Sequence, residues 1–188
     1  MKGAGRDMMS VKHAILGLLS WQPLSGYDLK KIFSDSTAFY WSGNNNQVYR
    51  TLLELYDEGL VSREIIQQEN LPAKKIYTIS EKGRQELRQW ITVNPELPVL
   101  RNSFLIQLAW ADQLTPPELE RLLASYEEEI HTQWLIHNQS SPQLSPAQAR
   151  SPREALLWSA IHQNQLRFYQ TEWDWVKHLR ASLAEIQS

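Results

Sequence analysis

The stretch Ser-Gly-Tyr-Asp-Leu-Lys-Lys-Ile-Phe at residues 25–33 decides how the first half of this 188-residue chain folds. Ser25 offers a hydroxyl that can cap a helix, and Asp28 stands three residues later, where its carboxylate can reach back. Apolar side chains then recur at the three- and four-residue spacing of one helix face. The pattern predicts a short amphipathic helix that begins with a capping box.

A second amphipathic helix is predicted directly after this one. Ser42 to Asn46 is a polar turn with one glycine and three asparagines. Val48, Leu52 and Leu55 then form an apolar stripe at helical spacing. Gly59 ends the helix as a C′ residue, the position where glycine is favoured.

Two strands and another helix follow. Leu60–Ile66 has strand-like composition, and Lys75–Ile79 alternates with a period of two, so they predict a hairpin with a loop of about 6–8 residues. Ser80 can cap a helix that continues to about Trp90. With a buried helix over Val11–Leu19 in front, the order is helix, helix, helix, strand, wing, strand. This is the order of a winged helix-turn-helix.

The back half of the chain is predicted to be entirely helical. One segment covers Leu100 to Ala111, and capping boxes at Thr115 and Ser151 each open a long helix. The last helix is expected to run for roughly 35 residues, or about 50 Å. The fold class is therefore mainly α: a winged helix-turn-helix of three helices and a two-stranded β-wing over residues 1–93, then an all-helical dimerisation domain over 94–188.

Composition limits the compartment and the chemistry. The chain has no cysteine, which excludes disulfides, thiolate nucleophiles and cysteine-bound zinc. The longest apolar segment, around Ala14–Leu19, is far shorter than the roughly 18–20 residues of a membrane span. We therefore expect a cytoplasmic protein without a membrane partner.

Charge is distributed unevenly along the chain. Residues 1–90 contain 12 Lys and Arg against 10 Asp and Glu, whereas residues 91–188 contain 7 against 11. A nucleic-acid partner is therefore expected only at the mildly basic front half.

Three blocks in the front half carry a family resemblance. Residues 25–33, residues 46–52 with Glu58–Val61, and residues 75–83 resemble the second helix, the recognition helix and the wing strand of PadR-like transcriptional regulators. The spacing between the blocks also matches, and together they cover about residues 9–90. The back half resembles the virulence-activator branch of the family, through Leu100–Leu123 and Trp173. The resemblance implies a dimeric transcription regulator, more often a repressor.

The start of the third helix is the expected DNA-reading end, because that end of a recognition helix enters the major groove. Asn45, Asn46, Gln47 and Arg50 are the candidates, since Asn and Gln can pair with adenine and Arg with guanine. The alternative for the asparagines is that they only form the turn and the cap. Gln47 and Arg50 are the favoured contacts.

Phosphate contacts are expected from residues around this helix. Tyr27 and Lys30 begin the preceding helix, and Lys74 and Lys75 lie beside the wing tip. Tyr49 corresponds to a tyrosine that, by the family resemblance, points to the DNA backbone. The alternatives are that Tyr49 packs against the wing and that the lysines form ordinary solvated faces.

The last helix is expected to supply the dimer interface. A weakly charged monomer makes too few phosphate contacts to bind DNA tightly, so function requires two copies. Gln165 and Glu172 interrupt a simple heptad, which favours packing against the partner's C-terminal domain over a zipper. The predicted dimer residues are Trp158, Ile161, Phe168, Trp175, Val176, Leu179 and Leu183.

Two questions stay open at this stage. The chain has eight tryptophans, and those of the back half could line a pocket for a small aromatic effector or fill core and interface; the second interpretation is favoured. An enzyme is disfavoured because nucleophile, phosphate-loop and zinc motifs are missing, and no catalytic residue, cofactor or metal is expected. The alternative to a DNA-binding regulator is a winged-helix module that binds protein.

Overall fold

The computed structural model describes residues 3–35, 45–68, 71–95, 97, 102–140 and 149–187. The chain divides into two compact units, Met1–Glu96 and Leu97–Ser188. Within the described residues, no helix is long and apolar enough to cross a membrane.

The first unit has the element order that the sequence predicts, with one addition. A two-residue strand precedes the second helix, so the sheet has three strands. The elements are α1 (Gly3–Leu19), β1 (Leu24–Ser25), α2 (Gly26–Asp35), α3 (Asn45–Asp57), β2 (Val61–Gln68), β3 (Leu71–Ile79) and α4 (Glu81–Ile91).

The sheet has the predicted wing and one further strand. It is antiparallel with the order β1-β3-β2: β2 and β3 are the two expected strands of the wing, and β1 joins them through the pair of Leu24 and Tyr77. The ladder of β2 and β3 continues to the pair of Gln68 and Leu71, so the expected loop of about 6–8 residues is wrong. The period-two alternation of apolar and polar residues does not continue to the far end of β2, because Ile65 and Ile66 are both exposed. Such alternation marks only a strand that has one buried face.

The core of the first unit joins three helices to the sheet. Its side chains come from α1, β1, α2, α3, the turn after α3 and the inner face of β2 and β3, and each is less than a tenth exposed. This burial holds the second and third helices at a fixed angle. The core residues are Val11, Ile15, Leu16, Leu18, Leu19, Leu24, Leu29, Phe33, Val48, Leu52, Leu55, Leu60, Val61, Tyr77 and Ile79.

The connection from α3 to α4 depends on two glycines. Gly59 has φ of +70°, as the predicted C′ position requires, and the Leu60 amide donates to the Leu55 carbonyl at 2.8 Å. Gly83 in α4 passes so close to the loop that a Cβ there would lie 2.1 Å from the Leu60 carbonyl oxygen. Ser80 caps α4 by accepting from the Gly83 amide. With any side chain at position 83, α4 could not approach the Leu60 backbone this closely.

The second unit is built on two long helices. Its elements are α5 (Ser103–Ala109), a short 3₁₀ turn (Ala111–Gln113), α6 (Pro116–Gln139) and α7 (Pro152–Gln187). The predicted helix over 100–111 is shorter at its start in the described residues, beginning at Ser103 after an Asn102 cap. The 36 residues of α7 extend over about 54 Å, against about 36 Å for α6.

Helices α6 and α7 pack along each other. Phe104, Leu123 and Val176 form the buried centre of this unit. At one end Arg180 bridges the carboxylates of Glu120 and Glu127, which joins the two helices by an ion-paired clamp.

Candidate nucleic-acid interface

The contact between α2 and α3 sets the geometry of the helix-turn-helix. The Tyr49 ring lies over Gly26, the first residue of α2, where an added Cβ would come within 2.6 Å of Tyr49 Cε1. The nearest ring atoms are Cε1 and Cδ1, and Tyr49 is 45% exposed, so the ring contacts the glycine and remains accessible to solvent. The alternative interpretation of Tyr49 named the wing as its packing surface, and the contact made here is with α2.

The start of α3 presents polar side chains. The helix begins at Asn45, and the side chains of Asn45 and Asn46 lie outside the described residues. Gln47 is half-buried, and the Arg50 side chain is 73% exposed. Arg50 Nε donates to Glu54 Oε1 at 3.0 Å, one helical turn further on.

The start of α2 lies beside this surface. Tyr27 is 68% exposed, and Lys30 is half-buried. Asp28 receives hydrogen bonds from the Ser25 hydroxyl at 2.6 Å and the Ser25 amide at 3.2 Å. The Asp28 amide in turn donates to the Ser25 hydroxyl at 3.1 Å, which completes the capping box.

The wing contacts the start of α2. Lys74 Nζ lies 3.3 Å from Asp28 Oδ2, close to where β1 pairs with β3. The hydroxyl of Ser25, and to a lesser degree its amide and Lys74, lower the pKa of Asp28 below its ordinary value of 3.8, so the carboxylate is charged at neutral pH. Lys75 is exposed and pairs across the strands with Ile65.

Two acidic residues therefore belong to this surface although sequence reasoning did not select them. Glu54 follows Arg50 at the i, i+4 spacing of helical ion pairs, a signal that was present in the sequence. For Asp28 the sequence pattern predicts only a helix cap. Its contact with Lys74 joins segments far apart in the chain and depends on the strand register, which no local pattern reports.

The predicted dimer residues separate into two groups in the second unit. Val176, which the sequence predicts as a dimer contact, is instead fully buried in the unit's own core, and Trp175, Leu179 and Leu183 pack partly buried against the same cluster. Ile161 and Phe168 are 43% and 49% exposed. Trp158 is half-buried. The first half of α7 thus carries the accessible part of the predicted interface.

An aromatic and histidine cluster fills the contact between α6 and the middle of α7. His131 stacks on Trp173 with ring centroids 4.2 Å apart, and Trp134 lies 5.7 Å from Trp173. His137 is buried, its Nδ1–H donates to the Gln133 carbonyl at 2.8 Å, and its ring contacts Tyr169. These tryptophans pack the helices together, as the favoured interpretation expects. In the part of the chain that the structure describes, no group of acidic and histidine side chains could hold a metal ion.

The first unit is a winged helix-turn-helix. It has three helices, two of which form the helix-turn-helix pair, and a β-wing that contacts this pair. The chain consists of a PadR-like transcriptional regulator domain followed by a virulence activator C-terminal domain. Residues 15–89 match the transcriptional regulator PadR-like family, and residues 100–184 match the virulence activator alpha C-terminal domain. This is a family of regulators and not of enzymes.

Individual relatives agree with this assignment. The negative transcriptional regulator PadR of Bacillus subtilis (strain 168) is 33% identical over 116 residues, which cover 61% of this chain and 64% of that protein. The match therefore spans less than two thirds of that relative's length.

Solved structures of Bacillus subtilis PadR are similar over nearly the whole chain. Its complex with operator DNA has a TM-score of 0.79 at 25% identity, covering 92% of this chain and 98% of that one. Its complex with p-coumaric acid has a TM-score of 0.75 at 24% identity, covering 93% and 98%.

Proposed function

We propose that this protein is a homodimeric regulator of transcription that binds a specific DNA sequence through α3 and the wing. The observation that carries the proposal is the exposed Arg50 and half-buried Gln47 near the start of α3, beside the exposed Tyr27 and the wing lysines. The fold is shared with a relative solved on its operator. A recognition helix reads bases with its N-terminal residues, and this is the end presented here.

Each residue of the interface has a proposed role. Gln47 and Arg50 contact base edges, with Asn45 and Asn46 beside them, because amide and guanidinium groups can form paired hydrogen bonds with adenine and guanine. Side chains at the rim hold the DNA backbone and fix its register. The proposed phosphate contacts are Tyr27, Lys30, Tyr49, Lys74 and Lys75.

Two copies are needed because one interface carries few cations. Non-specific affinity grows with the number of phosphates neutralised, and two half-sites about one turn apart double that number. The accessible apolar side chains on the first half of α7, including Leu157, Ile161 and Phe168, are the proposed centre of the dimer contact. Trp158 extends it.

The direction of regulation and the signal are further parts of the proposal. The Bacillus subtilis relative is described as a negative regulator and has been solved with p-coumaric acid. We propose that this chain is likewise a repressor in the cytoplasm and that a small aromatic compound releases it.

A footprint of the DNA upstream of the protein's own gene tests the proposal. Gln47→Ala/Arg50→Ala should abolish the footprint, because it removes both proposed base contacts and leaves the core intact. Gln85→Ala/Arg88→Ala changes the same residue types on the exposed face of α4 and should leave the footprint unchanged.

Normal binding by the α3 double variant would overturn the recognition-helix assignment. If wild-type protein gives no footprint at any salt concentration, a winged-helix module that binds protein becomes the better function. Sedimentation of both variants confirms that the assembly is unchanged.

A further inference from the structure

Two cations of the proposed DNA interface are already paired with carboxylates of the same chain. Lys74 Nζ lies 3.3 Å from Asp28, and Arg50 Nε lies 3.0 Å from Glu54. All four side chains are between a third and three quarters exposed, so the pairs face solvent at the surface that DNA would cover. This surface therefore carries less net positive charge than its lysines and arginines suggest.

The two carboxylates are positioned in different ways. Asp28 is fixed by two hydrogen bonds from Ser25 at the start of α2, independently of Lys74. Glu54 is half-buried on α3, one turn beyond Arg50, so the helix itself keeps it at the i, i+4 spacing from that cation.

We propose that Asp28 and Glu54 weaken the attraction of Lys74 and Arg50 for DNA phosphates, and that Glu54 thereby favours base-specific over non-specific binding by Arg50. This inference rests on the proposed DNA-binding function. Random DNA is held almost entirely through its anionic phosphates, and a carboxylate beside the cation repels that phosphate. A base edge is a neutral acceptor, so a guanidinium paired with a carboxylate can still donate to it.

The geometry of Arg50 fits this division. Its hydrogen bond to Glu54 uses Nε, and in the described part of the chain Nη1 and Nη2 have no other partner. A guanine is recognised through two hydrogen bonds from such a fork. Glu54 thus holds the side of the guanidinium and leaves its end for a base.

The expected magnitude is modest because the pairs are exposed. Ion pairs of this kind change an equilibrium by a factor of about 1.5 to 5. Freeing one cation for one phosphate should also steepen the dependence of log K on log salt by about 0.9.

Fluorescence anisotropy of the full-length protein on poly(dI·dC) tests the proposal. Asp28→Asn and Glu54→Gln should each tighten binding about 1.5- to 5-fold and steepen the salt slope. For Glu54→Gln the affinity for the footprinted duplex should rise less, because Arg50 contacts a base there. Glu128→Gln makes the same charge change at an exposed site on α6 and should have no effect. Circular dichroism verifies that each variant is folded. If one variant does not fold, the other variant still tests the proposal.

The pairs are tested by repeating each change without its cation. In a Lys74→Gln background, Asp28→Asn should no longer tighten binding, and in an Arg50→Gln background the same holds for Glu54→Gln. An equal gain in both backgrounds would overturn the proposal, since it would mean only that a negative charge had been removed. Unchanged binding to poly(dI·dC) would also overturn it. Wild-type protein that binds neither duplex would instead refute the proposed function.

Discussion

The Tyr49 ring covers Gly26 so closely that no larger residue fits without moving it: an added Cβ would lie 2.6 Å from Cε1 and 3.0 Å from Cδ1. The contact joins the starts of α2 and α3, the two ends that face DNA in the proposed complex. We expect Gly26→Ala to turn the exposed Tyr49 ring outward, to destabilise the fold by about 1 kcal/mol and to weaken operator binding. Urea unfolding and a footprint titration measure the two effects.

The Tyr49→Ala background provides the control for this prediction. Without the ring the alanine methyl at 26 has space, so the destabilisation by Gly26→Ala should disappear. A penalty of the same size in both backgrounds would show that the strain at 26 comes from elsewhere.

Alanine substitutions at two helical glycines, Gly83 and Gly17, distinguish the effect of close packing from the effect of helix propensity. Gly83→Ala should destabilise the protein by about 1–3 kcal/mol, because its methyl meets the Leu60 carbonyl oxygen, a backbone atom that cannot rotate away. Gly17→Ala in α1 meets nothing within 4 Å and should stabilise by up to about 1 kcal/mol. Chemical denaturation of both variants gives the comparison, and a stable Gly83→Ala would contradict the role assigned to the close approach.

The second unit should respond differently to changes in its core and on its open face. Leu123→Ala empties a site that is 1% exposed and should cost about 2–5 kcal/mol of unfolding free energy.

Ile161→Ser/Phe168→Ser changes exposed side chains and should leave the fold intact while shifting sedimentation from dimer to monomer. A dimerisation constant unaffected by the double variant would place the interface elsewhere.

Acid should weaken the start of α2 through Asp28. Its pKa in the folded protein is lowered, chiefly by the Ser25 hydroxyl, from an ordinary value of 3.8. The stabilisation is therefore fully present well above pH 4 and is lost as the pH falls through the folded pKa. Ser25→Ala should move the Asp28 pKa upward, as read from carboxyl chemical shifts in NMR, and should reduce the pH dependence of unfolding below pH 5. An unchanged Asp28 pKa in that variant would assign the shift to Lys74 instead.

Features encoded in short segments could be predicted from the sequence. The caps at Ser25 and Ser80, the glycine C′ residue at 59 and the apolar stripe of α3 depend on residues within one or two turns of each other. Such interactions leave a periodic or fixed-offset pattern that can be read without knowing the fold.

Features that need two distant segments were missed or misplaced. Strand β1 has only two residues and is recognisable solely by its pairing with β3. Val176 belongs to the same apolar stripe as its neighbours, and only its burial against Phe104 and Leu123 separates core from open face. The same limit applies to Asp28 and Lys74, because a charge partner across a strand register has no local signature.

The paired carboxylates of the interface also bear on how many copies of the protein a cell needs. A chromosome offers on the order of 10⁶–10⁹ competing sites, and every molecule resting on one of them is withdrawn from the operator. By weakening the hold on random sequence several-fold, Asp28 and Glu54 would leave more molecules unbound and shorten each unproductive stop. A DNA-binding interface with little net positive charge is thus suited to a regulator present in few copies, which must locate its operator quickly.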